Sequence, residues 1–144
     1  MILLDTNVVS ELMRAAPAAQ VVSWLDAQVA ETLHLSAVSL AELLLGIALL
    51  PDGRRKADLA VALETRATVL FGSRILSFDK TAAGVFAGIV SRTRASGFSI
   101  GTADAQIAAT AAANGFVVAT RDAAPFEAAG LTVINPWNEA GGSA

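Results

Sequence analysis

Residues 1–11 read MILLDTNVVSE: an apolar run ends at an aspartate, and a second apolar pattern begins shortly after it. Ile2–Leu4 is typical of a buried strand, and the pattern from Val8 onward is typical of a helix packed on a core. Asp5 stands between the two, where an aspartate often caps a helix by accepting a hydrogen bond from a free backbone N–H group. Whether Asp5 has only this structural role depends on the rest of the chain.

Four further apolar runs follow Ile2–Leu4, and helix-length segments rich in alanine and leucine separate most of them. The predicted strands are Ile2–Leu4, Thr32–Leu35, Ile75–Phe78, Phe116–Ala119 and Leu131–Ile134. The predicted helices are Val8–Ala15, Ala18–Val29, Ser39–Leu50, Lys56–Leu70, Thr81–Ala95 and Thr102–Ala113. This alternation favours an α/β fold in which helices cover both faces of a parallel sheet. Ligands of such folds bind outside the carboxyl ends of the strands, where the winding direction reverses, and a central first strand would place Asp5 there.

The composition predicts one soluble domain in a reducing compartment. Hydrophobic residues make up 54% of the 144 positions before the 11 glycines are counted, against roughly 45–50% in soluble domains with glycine included. The longest apolar stretch, 43–50, is far shorter than the roughly 20 residues of a membrane-spanning helix, and we see no basic leader. The lack of cysteine fits a cytoplasmic location. We expect a single domain over residues 1–139, a flexible tail over 140–144, and apolar surface left for a partner.

The overall charge does not favour binding to a polyanion. Ten basic and thirteen acidic residues give a net charge of −3, so a nucleic acid would need local basic patches or bound cations. Arg54, Arg55 and Lys56 form one basic run, although such runs more often mark a solvated helix start.

Four carboxylates stand where predicted strands end or predicted helices begin. Asp5 and Asp122 each follow a strand, whereas Glu42 and Asp104 lie near the start of helices that are otherwise almost wholly apolar or small. The helix dipole stabilises an acid near a helix N-terminus by about 0.3–1 kcal/mol. That effect accounts for one acid at a time, and it is weak against the cost of burying an unpaired carboxylate. Four converging carboxylates would repel one another unless cations or protons neutralised them.

Hard divalent cations would neutralise such a group. Mg²⁺ and Mn²⁺ bind carboxylate oxygens, keep several waters and accept phosphate oxygens. Zinc is disfavoured because the chain has no cysteine and one histidine, His34, which alternates with leucines in a predicted strand. Two ions about 3.5–4 Å apart could activate a water and stabilise the leaving oxygen of a phosphodiester, and one ion could perform part of that task.

The segments that carry these acids resemble one protein family along nearly the whole chain. MILLDTNVVSE, SAVSLAELLLGIALL, IGTADAQIAATAAANGFVVATRDAAPF and VINPW are similar to the PIN-domain ribonucleases, and in particular to the VapC toxins of the FitB-like branch. The resemblance implies a three-layer α/β/α fold whose five-stranded parallel sheet has the order 3-2-1-4-5. It also implies a divalent-metal-dependent endoribonuclease that acts as the toxin of a type II toxin–antitoxin system and cleaves RNA with a metal-activated water.

The resemblance also implies roles for individual residues. Asp5, Glu42, Asp104 and Asp122 match the acids that bind metal and serve catalysis, and Thr6, Asn7 and Thr120 match polar positions that orient those acids or water. Some relatives carry a further acid shortly after the last one, but this chain has Ala123–Phe126 there. One well-held ion, with a second recruited alongside RNA, fits four acids at least as well as two resident ions.

The implied partners are an RNA substrate, a second copy of the chain in a homodimer, and a cognate antitoxin. The antitoxin would form a higher hetero-oligomer with the toxin, and operator DNA would be bound only through it. No membrane contact is expected.

Several other polar or aromatic residues have two interpretations. Arg121 is a candidate for a bidentate contact to RNA phosphate or for holding Asp122 in place. Arg14 is a candidate for RNA contact or for complementing the end of a helix. Asp79 is predicted to cap a helix, Trp24 and Trp137 to pack in a core or interface, and Glu11 to be an ordinary solvated charge.

Two other functions remain open at the level of sequence. A phosphohydrolase of the haloacid dehalogenase type shares such a sheet and uses a strand-end aspartate as nucleophile. It requires a second acid two residues later, where Asn7 stands, and a basic partner that the two lysines, Lys56 and Lys80, do not clearly supply. The third possibility is a non-catalytic module that binds an antitoxin and, through it, operator DNA.

Overall fold

A five-stranded parallel sheet with the strand order β3-β2-β1-β4-β5 forms the centre of the computed structural model, which describes residues 1–139. The strands are β1 (Ile2–Leu4), β2 (Leu33–Ser36), β3 (Ile75–Leu76), β4 (Val117–Ala119) and β5 (Val133–Ile134). This order confirms the fold that the resemblance implied. The predicted flexible tail, 140–144, lies outside the described residues.

Helices cover both faces of this sheet. Within residues 1–139 they are α1 (Thr6–Leu12), α2 (Ala19–Asp26), α3 (Ala37–Ala48), α4 (Arg54–Arg66), α5 (Lys80–Ala95), α6 (Thr102–Asn114) and α7 (Ala123–Ala128). A 3₁₀ turn at Ala30–Thr32 precedes β2, and α4 continues into a π-helical turn at Ala67–Phe71. In this part of the chain, no helix is long and apolar enough to cross a membrane.

Strand β1 lies between β2 and β4 and is buried on both faces. Because successive side chains of a strand point to opposite sides, Leu3 packs in the hydrophobic cluster that contains Ile107 and Phe126, whereas Leu4 packs in the one that contains Phe71. Leu3 and Leu4 are both 0% exposed, and burying a leucine side chain contributes about 1.5–3 kcal/mol. The chain builds the β2–β3 half first and then crosses to the β4–β5 half, so the winding reverses beside β1.

Polar side chains at strand ends set the starts of the following helices. Asp5 caps α1, so that helix begins at Thr6 rather than at the predicted Val8. Ser36 caps α3 by accepting a hydrogen bond from the Ser39 backbone N–H at 2.9 Å. The predicted cap at Asp79 is confirmed, since its Oδ1 accepts from the Ala82 N–H at 2.9 Å.

Helix α7 is not predicted by the local sequence pattern. This helix has 6 residues, too short for an apolar period to show, and it follows β4 after three intervening polar residues. Its Pro125 and Phe126 are buried, and Phe126 anchors it in the core on the β4 side. Tertiary packing, rather than helix propensity, therefore holds this segment.

Candidate active site at the carboxyl edge of the sheet

The four predicted acids gather at the carboxyl ends of the central strands. β1 and β4 are hydrogen-bonded neighbours, and the Asp5 N–H donates to the Ala119 carbonyl at 2.9 Å. The other two acids come from helices: Glu42 from α3, which follows β2, and Asp104 from the first turn of α6. Asp5 and Asp104 are each close enough to other acids of the set to have their pKa raised by them. We call this set of four carboxylates the acidic crevice.

Asp5 is the most deeply buried member of the acidic crevice. Its side chain is 5% exposed; Oδ1 accepts from the Thr6 N–H and Oδ2 from the Thr120 hydroxyl, both at 2.8 Å. Burial, with smaller contributions from Asp104 and Glu42, raises its pKa to about 6, although both hydrogen bonds oppose the rise. Asp5 is thus a helix cap, as the local sequence allowed, and it is also a carboxylate whose charged form is disfavoured by burial.

Thr120 joins Asp5 to the loop that carries Asp122. Its hydroxyl donates to Asp5, and its oxygen accepts from the Asn7 side-chain amide at 3.2 Å and from the Asp122 backbone N–H at 3.0 Å. The Asn7 carbonyl oxygen in turn accepts from the Arg121 N–H at 3.4 Å. This buried hydroxyl therefore fixes the positions of two acids relative to each other.

Thr6 makes the corresponding contact on the other side of the crevice. Its hydroxyl lies 2.7 Å from Glu42 Oε1 and 3.0 Å from Ser39 Oγ. Ser39 is buried and also contacts the Ser36 hydroxyl at 3.1 Å. The two serines were not among the predicted site residues; the signal that could have found them is a serine cap with a second serine three residues later, just before Glu42.

Asp104 is half-buried in the first turn of α6. Burial raises its pKa, and the charges of Asp122 and Glu42 raise it further. No lysine or arginine forms an ion pair with any of the four acids within residues 1–139. The crevice is therefore a region of negative charge that nearby side chains do not neutralise.

The chemistry of this donor set fits a hard divalent cation. Carboxylates are the preferred ligands of Mg²⁺ and Mn²⁺, and a cation would offset the cost of burying charged Asp5 and Asp104 as well as the smaller repulsion from the other acids. Among residues 1–139, no three acidic or imidazole side chains already stand in the arrangement of a filled metal site. Glu42 and Asp122 are the two exposed members of the set, and Glu42 Oε1 accepts from the Thr6 hydroxyl.

The prediction for Glu11 was wrong, because this residue is buried rather than solvated. It is 5% exposed, and its carboxylate accepts from the Ala18 N–H at 2.9 Å and from Arg14 at 3.3 Å. The Ala18 hydrogen bond lowers its pKa most, and Arg14 and Arg121 contribute. Glu11 thus connects the end of α1 to Ala18, the residue directly before α2. No local pattern in the sequence predicts this contact.

Arg121 makes a contact that neither interpretation of the sequence anticipated. Its Cζ lies 5.1 Å from the ring centroid of Trp137, which follows β5. No ion pair joins Arg121 to Asp122 in the part of the chain that the structure describes. Holding Asp122 by charge is therefore not what Arg121 does in this structure; the Asp122 backbone N–H donates instead to the Thr120 hydroxyl oxygen.

A groove of about 1140 Å³ opens from the crevice between α1 and the α3–α4 pair. Thr6 and Glu42 lie at its inner end, and Arg14, Arg54 and Arg55 line it farther out. Its apolar lining comes mainly from Met13, Leu43, Ile47, Leu50 and Leu59. The groove thus combines an acidic end, an apolar floor and basic walls.

Comparison with known proteins agrees with the fold. The model of the PIN domain family matches residues 2–131. The chain belongs to the PIN-domain family, in the group that contains the VapC and FitB toxins.

Three relatives align with this chain over nearly the whole length of both proteins. Plasmid stability protein StbB of Pseudomonas syringae pv. tomato is 56% identical over 95% of this chain and 99% of its own. VapC ribonuclease Y4jK of Sinorhizobium fredii is 50% identical, over 97% and 100% respectively. Toxin FitB of Neisseria gonorrhoeae is 48% identical, over 96% and 100%.

The structure of FitAcB from Neisseria gonorrhoeae superposes with a TM-score of 0.91 at 47% identity, covering 96% of this chain and 100% of that one. A structure of FitAB bound to a DNA fragment, at 46% identity over 96% and 97%, has the same TM-score of 0.91.

Proposed function

We propose that this protein is a Mg²⁺- or Mn²⁺-dependent endoribonuclease and the toxin of a type II toxin–antitoxin system. The observation that carries the proposal is the convergence of carboxylates around Asp5, which is 5% exposed and whose pKa is raised to about 6 by burial, with smaller contributions from Asp104 and Glu42. A helix cap needs no further acids around it, and clustering them destabilises the fold. A site that binds a divalent cation explains the cluster, and the name of the VapC ribonuclease relative supports RNA as substrate.

In this proposal Asp5, Glu42, Asp104 and Asp122 hold the cation. A bound divalent cation supplies an acidified water and offsets the negative charge that develops on a phosphodiester under attack. The hydroxyl groups of the protein would orient the acids that hold the cation. Thr120 keeps Asp5 and Asp122 in a fixed relation, and Thr6 holds Glu42 at the mouth of the groove.

A phosphohydrolase with Asp5 as nucleophile has less support. Asn7 stands where the second acid would be, and both ends of its amide are engaged, with Thr120 and with the Arg121 backbone. Lys56 contacts the Ala48 carbonyl and Asp52 on the α3–α4 connection, which leaves it unsuited to be the basic partner.

The proposal is tested by incubating the purified, antitoxin-free chain with a set of structured RNAs in Mg²⁺ or Mn²⁺. The matched variant is Asp104→Asn, which keeps the size of the side chain and removes its charge. We expect cleavage by the wild type, and its loss both in the variant and in EDTA. Equal cleavage by the two proteins, or none by the wild type across the RNA set, would contradict the proposal; the second result, with antitoxin binding retained, would favour the non-catalytic module.

We further propose that the groove binds a segment of the antitoxin. Its apolar floor suits an amphipathic segment, and a basic side chain of that segment entering the crevice would pair with the acids and compete with a cation. The relatives support such a partner, and FitAB bound to DNA supports operator contact through it. Co-expression with the antitoxin should suppress RNA cleavage, and an antitoxin that binds without suppressing cleavage would contradict this role of the groove.

The expected homodimer also has a structural basis. Leu44 and Leu45 of α3 are 53% and 58% exposed, and Leu49, the residue directly after this helix, is 76% exposed. Such a group of neighbouring exposed leucines is typical of an interface. Sedimentation equilibrium of the purified chain should give a dimer mass, and a monomer at micromolar concentration would contradict it.

A further inference from the structure

The guanidinium of Arg121 is held beside the acidic crevice in a way that leaves its N–H groups available. It stacks on Trp137, with 5.1 Å from Cζ to the ring centroid. An arginine that stacks uses its planar face, so its in-plane N–H groups remain free to form hydrogen bonds. Within residues 1–139, neither an ion pair nor a side-chain hydrogen bond engages this guanidinium.

Arg121 lies in the chain segment that is hydrogen-bonded to the acids of the crevice. It lies between Thr120, whose hydroxyl donates to Asp5, and Asp122, whose N–H donates to that same hydroxyl oxygen. The Arg121 N–H itself donates to Asn7. A phosphodiester bound at the acids would therefore have Arg121 as an immediate neighbour.

Trp137 forms a fixed platform for this arginine. β5 ends at Ile134, and the next residue, Asn135, accepts from the Trp137 N–H at 3.0 Å through its side-chain oxygen. The Asn135 carbonyl also accepts from the N–H groups of Asn138 and Glu139. The indole packs partly buried against the core, so the turn places it at the carboxyl edge of the sheet beside β4.

Glu11 faces Arg121 but does not neutralise it. Its carboxylate already accepts from the Ala18 N–H and from Arg14, and it forms no ion pair with Arg121 within the described residues. Arg121 makes a small contribution to the lowered pKa of Glu11, behind the Ala18 hydrogen bond and Arg14, so the two charges interact only at longer range. The N–H groups of Arg121 are therefore left for a ligand.

We infer that Arg121, positioned by Trp137, binds a backbone phosphate of single-stranded RNA next to the phosphodiester held at the acidic crevice. This inference rests on the proposed ribonuclease function. A guanidinium matches two phosphate oxygens in a bidentate contact, and a chain of net charge −3 depends on such local contacts to hold a polyanion. Trp137 is a positioning residue here, since it acts through Arg121.

The test measures RNA binding in the cleavage-deficient Asp104→Asn background, using a fluorescein-labelled single-stranded RNA of mixed sequence and a series of NaCl concentrations in Mg²⁺. Arg121→Gln, Arg121→Lys, Trp137→Leu and Trp137→Phe are each introduced into that background. The matched control is Arg66→Gln, because Arg66 is an exposed arginine that lines a separate groove with Leu33, at the opposite end of the sheet.

We expect Arg121→Gln to weaken RNA binding about tenfold at low salt. The slope of the logarithm of the binding constant against the logarithm of the salt concentration should become about 0.7 less steep, the value for one phosphate contact on a single strand. Arg121→Lys should keep the slope but lose part of the affinity. Lysine keeps the positive charge, but it lacks the planar guanidinium that contacts two phosphate oxygens and stacks on Trp137. Trp137→Leu should weaken binding roughly threefold, and Trp137→Phe should restore most of that loss. Arg66→Gln should match the parent protein.

The inference is wrong if Arg121→Gln and Arg66→Gln have the same affinity and slope. The positioning role of Trp137 is wrong if Trp137→Leu and Trp137→Phe behave alike. A carboxylate of the antitoxin is the other anion that Arg121 could bind. Weakened antitoxin binding with unchanged RNA binding would assign it to that contact and overturn the inference. If the otherwise wild-type chain cleaves RNA while Arg121→Gln leaves binding unchanged, the proposed function stands and only this inference fails.

Discussion

Replacing Asp5 by asparagine should stabilise the protein at neutral pH in the absence of divalent cations. The carboxylate is 5% exposed and lies near two other acids, so its charge costs free energy in the folded state. Asparagine keeps the cap, because its side-chain oxygen can still accept from the Thr6 N–H. The substitution removes a charge that we propose is needed for cation binding and not for folding.

The magnitude follows from the pKa of Asp5. A rise from 3.8 to about 6 corresponds to about 3 kcal/mol once both folded and unfolded states are ionised. Part of this is offset because the new amide N–H group faces the Thr120 hydroxyl, whose oxygen already accepts from Asn7 and from the Asp122 N–H, so the hydrogen bond between position 5 and Thr120 is lost. We expect a net gain of about 1–2 kcal/mol in the free energy of unfolding at pH 7.5, or a rise in Tm of roughly 2–8 °C.

The sign depends on pH. The raised pKa means that the folded state binds a proton at Asp5 more tightly than the unfolded state, so the contribution of Asp5 to stability falls as pH rises between about 4 and 6 and then levels off. The advantage of Asp5→Asn should therefore be present at pH 7.5 and absent below pH 4.

Urea unfolding followed by circular dichroism in EDTA measures this difference. Asp79→Asn is the matched control, since Asp79 also caps a helix but is exposed, and either residue caps well; we expect a change within about 0.5 kcal/mol. If Asp5→Asn is no more stable than wild type at pH 7.5, or if its advantage persists unchanged below pH 4, the electrostatic account of the crevice is wrong.

Three further predictions concern the Thr120 hydroxyl, the hydrogen bonds of Arg74, and the binding of Mg²⁺. Thr120→Val should lower RNA cleavage at least tenfold because Asp5 and Asp122 lose their shared hydroxyl, whereas Thr120→Ser should retain most activity. Arg74→Met should lower the free energy of unfolding by about 1–3 kcal/mol with kcat unchanged, because Arg74 donates to the Leu33 and Leu70 carbonyls far from the crevice. Mg²⁺ at about 100 times its Kd should stabilise the wild type by about 2.7 kcal/mol in thermal unfolding, and the same concentration should stabilise Asp104→Asn less.

Each of these has a clear contrary result. Full cleavage by Thr120→Val would show that the hydroxyl does not orient the acids. Loss of cleavage in a well-folded Arg74→Met would mean that the β2–β3 half controls the site. An equal rise in Tm for wild type and Asp104→Asn would place the cation elsewhere.

The acids of the site could be predicted because their local surroundings are informative. Asp5 and Asp122 follow apolar strands, and a charge at the end of a buried strand of a parallel sheet lies at the edge where ligands bind. Glu42 and Asp104 stand out because the helices around them are otherwise nearly free of charge. Their assignment as one group came from resemblance to a family, and the structure brings all four to the same edge.

Other features depend on contacts between distant segments, which no local pattern encodes. Glu11 looks like any solvated helix charge, yet the turn into α2 buries it against the Ala18 N–H. Arg121 and Trp137 are 16 positions apart in the sequence and meet because β4 and β5 are neighbours with parallel directions. The hydrogen bond from Thr120 to Asp5 joins residues 115 positions apart in the sequence, and it exists only because β1 pairs with β4.

The sequence by itself determined the strand–helix alternation, the central place of MILLDTNVVSE and the identity of the acids, because hydrophobic period and isolated charge are properties of neighbouring residues. The tertiary structure decided how those acids are oriented, how strongly burial perturbs Asp5, and which residues surround them. These depend on distances between side chains from different strands and helices, and such distances are set only when the sheet is assembled.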